Sequence, residues 1–136
     1  MGFKCDLFYG DLMALFERDG FPSKTSRGHP ERRSRTYQMQ RLASMVVLSL
    51  LMKRWKQRFY KTGHVCTMCT TGFVMKALGL AEATVKRILL DLRKAGYIQW
   101  DEERRANGWR APRMIWPKSH EIVALIRKPM RGRLQG

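Results

Sequence analysis

The chain has 136 residues and a formal net charge of +16, with 27 Lys and Arg against 11 Asp and Glu. That length allows one domain with a modest core plus an extension, and the excess of cations favours a polyanionic partner, nucleic acid being the commonest. Three cysteines are odd in number and too few for a disulfide framework, and the most apolar run, Leu42 to Met52, falls well short of the ~20 residues that span a bilayer.

The start of the chain has no apolar signal-peptide core, so the expected compartment is a reducing cytoplasm, with nucleoid association if the polyanion is DNA. Leu7, Phe8, Leu12, Leu15 and Phe16 recur near a 3.6-residue period between Cys5 and Arg18, which predicts a short amphipathic helix ended by Gly20-Phe-Pro-Ser23. Asp6, Asp11 and Glu17 fall on its solvated face. Residues 24–36 have no apolar side chain able to anchor a core. Five cations, Lys24, Arg27, Arg32, Arg33 and Arg35, stand there against Glu31. The segment reads as a basic linker or arm, either a phosphate contact or a solvated connector.

Residues 37–60 lack Gly and Pro and predict one long helix, opening a domain expected to run from 37 to 128. Its centre is apolar nearly all the way round, so it needs cover on several sides. Neighbouring helices supply some of that cover. A second copy of the chain is the candidate for the remainder, making this helix a homodimer element unless the chain's own elements bury it completely.

After a break at Lys61 to His64, Thr70 or Thr71 offers an N-cap hydroxyl for a helix reaching Leu78. Gly79 suits a sharp turn, and Glu82 to about Ala95 predicts a second helix stopped by Gly96. Val85, Ile88, Leu89 and Leu92 mark its core face; Val74, Leu78 and Leu80 complete the apolar set of the two helices.

Tyr97 to Trp116 reads as a hairpin around Asn107-Gly108, a two-residue turn signal. This turn pairs Arg105 with Arg110, Glu102 with Arg113, and Trp100 with Ile115. Ile98, Trp100 and Ile115 then share a face against the helices, and Pro112, lacking an N–H, places the returning strand at an edge there. Ser119 caps a last helix through Ile122, Val123, Leu125 and Ile126, and residues 129–136 form a basic tail.

The order helix, helix, helix, hairpin, with the motif Ala77-Leu-Gly-Leu80, Thr84-Val-Lys-Arg-Ile88 and Leu92-Arg-Lys-Ala-Gly-Tyr-Ile98, resembles the winged helix-turn-helix superfamily over about residues 40 to 127. Within it the chain looks most like compact bacterial regulators that add flanking helices, as the MarR-type family does. The implied fold is mainly α with a small β-hairpin. Two departures stand out. Ala81 occupies the usual Ser/Thr cap position, and Glu82 sets a negative charge beside the groove.

The resemblance implies that helix 82–95 enters the major groove of duplex DNA, with Ala83, Thr84, Lys86, Arg87, Arg93 and Lys94 outward. Arg87 has the chemistry to read a guanine edge, Ala83 and Thr84 to pack on thymine methyls, and Lys86 and Lys94 to hold phosphates. An i,i+4 pair of Arg87 with Asp91 is the competing reading. The wing is implied to lie along the minor groove through Arg104, Arg105, Arg110 and Arg113, with Trp109 beside the turn available for stacking. Carboxylates from Asp101 to Glu103 stay near the hairpin base.

Cys66-Thr-Met-Cys69 has the spacing of half a zinc site. Two further ligands would have to come from His64, Cys5, His29 or His120, so no metal and no cofactor is expected. A redox role for Cys69 near a helix start, or ordinary burial, are the other readings. Neither a phosphate-binding glycine loop nor a nucleophile elbow is present, and no enzyme is expected. The expected function is sequence-specific duplex DNA binding in transcription regulation. The alternative is a replication, partition or ribonucleoprotein assembly component that contacts structured RNA or protein.

Overall fold

The computed structural model describes residues 8–22, 35–68, 71–101 and 114–128. Five helices and a small antiparallel sheet follow in the order α1 (Tyr9–Asp19), α2 (Arg35–Thr62), β1 (Thr67–Met68), α3 (Thr71–Leu78), α4 (Glu82–Lys94), β2 (Ile98–Asp101), β3 (Met114–Pro117) and α5 (His120–Arg127). The mainly helical class with a small sheet is as expected.

α2 is the axis of the molecule. Its 28 residues span about 42 Å, and its central side chains Met45, Val47, Leu48, Leu50, Leu51, Met52 and Trp55 are all buried. α1, α4, α5 and β1 pack around it, so the chain's own elements cover the centre of the helix. These buried positions need no cover from a second copy, whereas Leu42, the first residue of the same apolar run, stays exposed. Large apolar side chains left exposed on α2 are Met39 and Leu42 toward its start and Tyr60 near its end. The helix also begins at Arg35, two residues before the expected start, so Arg35 belongs to α2 rather than to the arm.

Buried polar groups on α2 fix its neighbours. Arg41, 3 % exposed, donates from Nε to the Phe21 carbonyl at 2.9 Å, from Nη1 to Glu17 Oε2 at 2.6 Å and from Nη2 to the Tyr37 hydroxyl at 3.2 Å. Glu17 is thus an ion-pair partner as well as a member of the exposed face of α1. Lys56 donates to the carbonyls of Ile126 and Lys128 at 2.9 and 2.6 Å, placing a cation on the C-terminal end of α5 where carbonyls lack helical donors. Burial holds the Lys56 ammonium below its ordinary pKa. Trp55 donates its indole N–H to the Ile115 carbonyl at 3.0 Å, joining α2 to the sheet.

The sheet has the order β1-β3-β2. Trp100 pairs with Ile115 and Gln99 with Trp116, in the register that a turn at Asn107-Gly108 requires. Ile98, Trp100 and Ile115 are all buried on the shared face. β1 is the element sequence periodicity missed, because two residues show no alternation. It pairs Thr67 with Ile115 and Met68 with Met114, so β3 is the central strand over its described residues rather than an edge. The edge expected at Pro112 lies outside the described residues.

Helix ends follow local chemistry. At Gly79, between α3 and α4, φ is +70°, and Gly96 after α4 has φ +88°, both in the left-handed region where a Cβ is strained. The Tyr97 N–H then bonds the Leu92 carbonyl at 3.1 Å and that of Gly96 bonds the Arg93 carbonyl, a Schellman-type closure. Ser119 Oγ accepts from the N–H groups of Glu121 and Ile122, as its cap position predicts. Ala81 begins α4 with no side-chain cap.

Candidate nucleic-acid interface

α4 turns Val85, Ile88, Leu89 and Leu92 inward, all at most 1 % exposed, which forces the intervening positions outward. Ala83, Lys86, Arg87, Arg93 and Lys94 are exposed; Thr84 is half-buried, so its methyl and hydroxyl are less available than the expected outward placement implies. Leu90 also lies on the surface, 48 % exposed, among these cations.

The cations differ in how they are held. Lys86 pairs with Glu82 at 3.0 Å, one turn earlier, and both ends of the pair are solvated. Such a pair contributes little to stability and is readily exchanged for a phosphate. Arg87 forms no ion pair with Asp91: the Asp91 carboxyl is pushed up by burial, an effect that the nearby positive charges of Arg87 and Lys94 only oppose. Arg93 is docked elsewhere. Its guanidinium lies 4.4 Å over the Trp100 ring and its Nε donates to Gln99 Oε1 at 2.8 Å, so it ties α4 to β2. Gln99 Oε1 also accepts from the Trp100 backbone N–H at 3.0 Å, which holds the acceptor in place.

No family model, curated protein or solved structure matches the chain. The site therefore rests on its own chemistry.

The wing positions Arg104, Arg105, Trp109, Arg110 and Arg113 lie outside the described residues, as do the arm positions Lys24, Arg27, Arg32 and Arg33. Arg35 lies at the start of α2. Cys5 and Cys69 are likewise outside, and Cys66 is half-buried. His64 and His120 are exposed, and among the described residues no three His, Cys, Asp or Glu side chains gather at one point. No helix among those residues is long and apolar enough to cross a membrane.

Sequence reading missed a second cationic surface. Arg54, Arg58 and Lys61 fall at i, i+4 and i+7 of α2 and, with Gln57, Thr62 and Thr67, line an open groove of about 530 Å³. The signal was present in that spacing. It was hidden because the same helix reads first as an apolar core element.

Proposed function

We propose that this chain is a winged helix-turn-helix protein that binds duplex DNA and regulates transcription by reading sequence with α4. The observation that carries the reading is the outward face of α4, where Arg87 and Lys94 are exposed without ion-pair partners among the described residues. In-register pairing of β2 with β3 beside that helix supports the wing.

In this reading Arg87 reads a base edge in the major groove, and Lys86 and Lys94 hold phosphates. Arg93 acts through Trp100, setting the angle between the helix and the wing. Arg104, Arg105, Arg110 and Arg113 then follow the minor groove, with Trp109 beside them. Charge supplies most of the affinity, which falls steeply with salt. A homodimer would have Met39 and Leu42 of α2 as its apolar surface and would read two half-sites.

The exposed Leu90, central on the same face, favours a second reading in which α4 docks on a protein or on structured RNA within an assembly. Selection from a pool of genomic duplex fragments at about 150 mM salt tests the first reading. Recovery of one preferred sequence supports it; recovery without preference ends it. Structured RNA outcompeting every duplex would favour the assembly.

A further inference from the structure

We propose that the groove at the C-terminal end of α2 is a phosphate-binding site, separate from the α4 face. It is lined by Arg54, Gln57, Arg58, Lys61, Thr62 and Thr67, three cations and no carboxylate. Like charges gathered in one concave surface repel one another, and a multivalent anion relieves that repulsion. Arg54 carries the clearest sign. Its guanidinium packs 4.4 Å over the Phe73 ring of α3, and its Nε is buried with no acceptor among the described residues. A buried charged donor without an acceptor is costly, which is the position an incoming phosphate oxygen would correct.

Arg58 and Lys61 are exposed and form no ion pair among the described residues, so neither has to give up a carboxylate to bind an anion. The Thr62 hydroxyl is already used: it donates to the Arg58 carbonyl at 2.9 Å and accepts from the His64 N–H at 3.2 Å. It therefore shapes the last turn of α2 and leaves recognition to the guanidinium and ammonium groups. The last carbonyls of α2, at the same end of the helix, together carry roughly half a negative charge, against three full positive ones, so the balance of the groove favours an anion. Planar guanidinium groups match phosphate oxygens in a two-point fashion, which selects phosphate over a simple halide.

This site does not depend on the DNA-binding reading. Its ligand is either a backbone phosphate of nucleic acid or a free phosphate-bearing compound. Titration of the full chain with inorganic pyrophosphate, followed calorimetrically, tests it. Saturable one-site binding is expected, weakened roughly tenfold or more in the double variant Arg58→Gln with Lys61→Gln. A charge-matched control on α4, Lys86→Gln with Lys94→Gln, should bind pyrophosphate like the wild type. Failure of the wild type to saturate, or equal weakening in both double variants, overturns the site. With the site in place, a duplex that displaces pyrophosphate identifies the ligand as a nucleic-acid phosphate. A duplex that binds alongside it identifies a free phosphorylated compound. Pyrophosphate binding by a chain that binds no duplex leaves the groove standing and removes the DNA reading.

Discussion

The guanidinium of Arg93 lies 4.4 Å over the ring of Trp100, linking the last turn of α4 to the first strand of the hairpin. Trp100 is 4 % exposed and anchored in the core, so the contact transmits the position of the sheet to the helix. A cation on an indole face at a surface site contributes about 0.5–1 kcal/mol. Arg93→Ala should lower stability by about that amount in denaturant melts. In a binding selection it should weaken all duplexes together, with no change in preferred bases; a changed preference would make Arg93 a base reader.

Arg87 is the side chain expected to carry specificity. Arg87→Ala should cost about 1–3 kcal/mol at one base position and little at the others. Competition against single-base variants of the selected site measures this. Uniform loss across all of them would reassign Arg87 to a phosphate.

Two buried polar residues on α2 should respond in opposite directions. Trp55→Phe removes the donor to the Ile115 carbonyl and part of a fully buried ring, and should cost about 2–4 kcal/mol. Ser49 is fully buried and its hydroxyl has no partner among the described residues. Ser49→Ala should therefore be neutral or stabilising by up to about 1 kcal/mol, since Ala is also the better helix former. Equal destabilisation by both would contradict the hydrogen-bond assignment.

Acid should loosen the contacts that Arg18 of α1 makes with Glu121 of α5 and that Asp19 of α1 makes with Tyr97. Arg18 holds the Glu121 carboxyl below its usual range, and Arg18 together with the Tyr97 hydroxyl does the same for Asp19. Tyr97 donates to Asp19 Oδ2 at 2.6 Å. A carboxylate depressed in the folded state stabilises it above the ordinary pKa of ~4, and that stability is lost as pH falls through the lower folded value. The wild-type Tm should thus drop as pH falls below about 4, and Asp19→Asn should flatten that drop. Parallel melting curves for the two proteins across that range would dismiss the network as a source of acid sensitivity.

α4 starts on Ala81, in extended backbone and without a side-chain cap. Ala81→Ser supplies an acceptor for the first free N–H groups and should add about 1 kcal/mol, raising Tm by a few degrees. Scanning calorimetry checks this, and an unchanged Tm would mean that the α4 terminus is already satisfied.

Helix positions, the Gly79 and Gly96 stops, the Ser119 cap and the pairing of Trp100 with Ile115 were all legible in the sequence. Each depends on residues close in the chain, through periodicity, left-handed backbone or turn chemistry. The outward face of α4 was legible for the same reason. Tertiary packing alone decided what lies far apart in sequence: β1 joining β3, Lys56 reaching the end of α5, and Arg93 resting on Trp100. It also settled that α1, α4, α5 and β1 enclose the centre of α2, where local pattern showed only that the helix needed cover. The groove of Arg54, Arg58 and Lys61 belongs to both levels. Their spacing puts them on one face of a helix, but only folding brings Thr67 of β1 and Phe73 of α3 beside them.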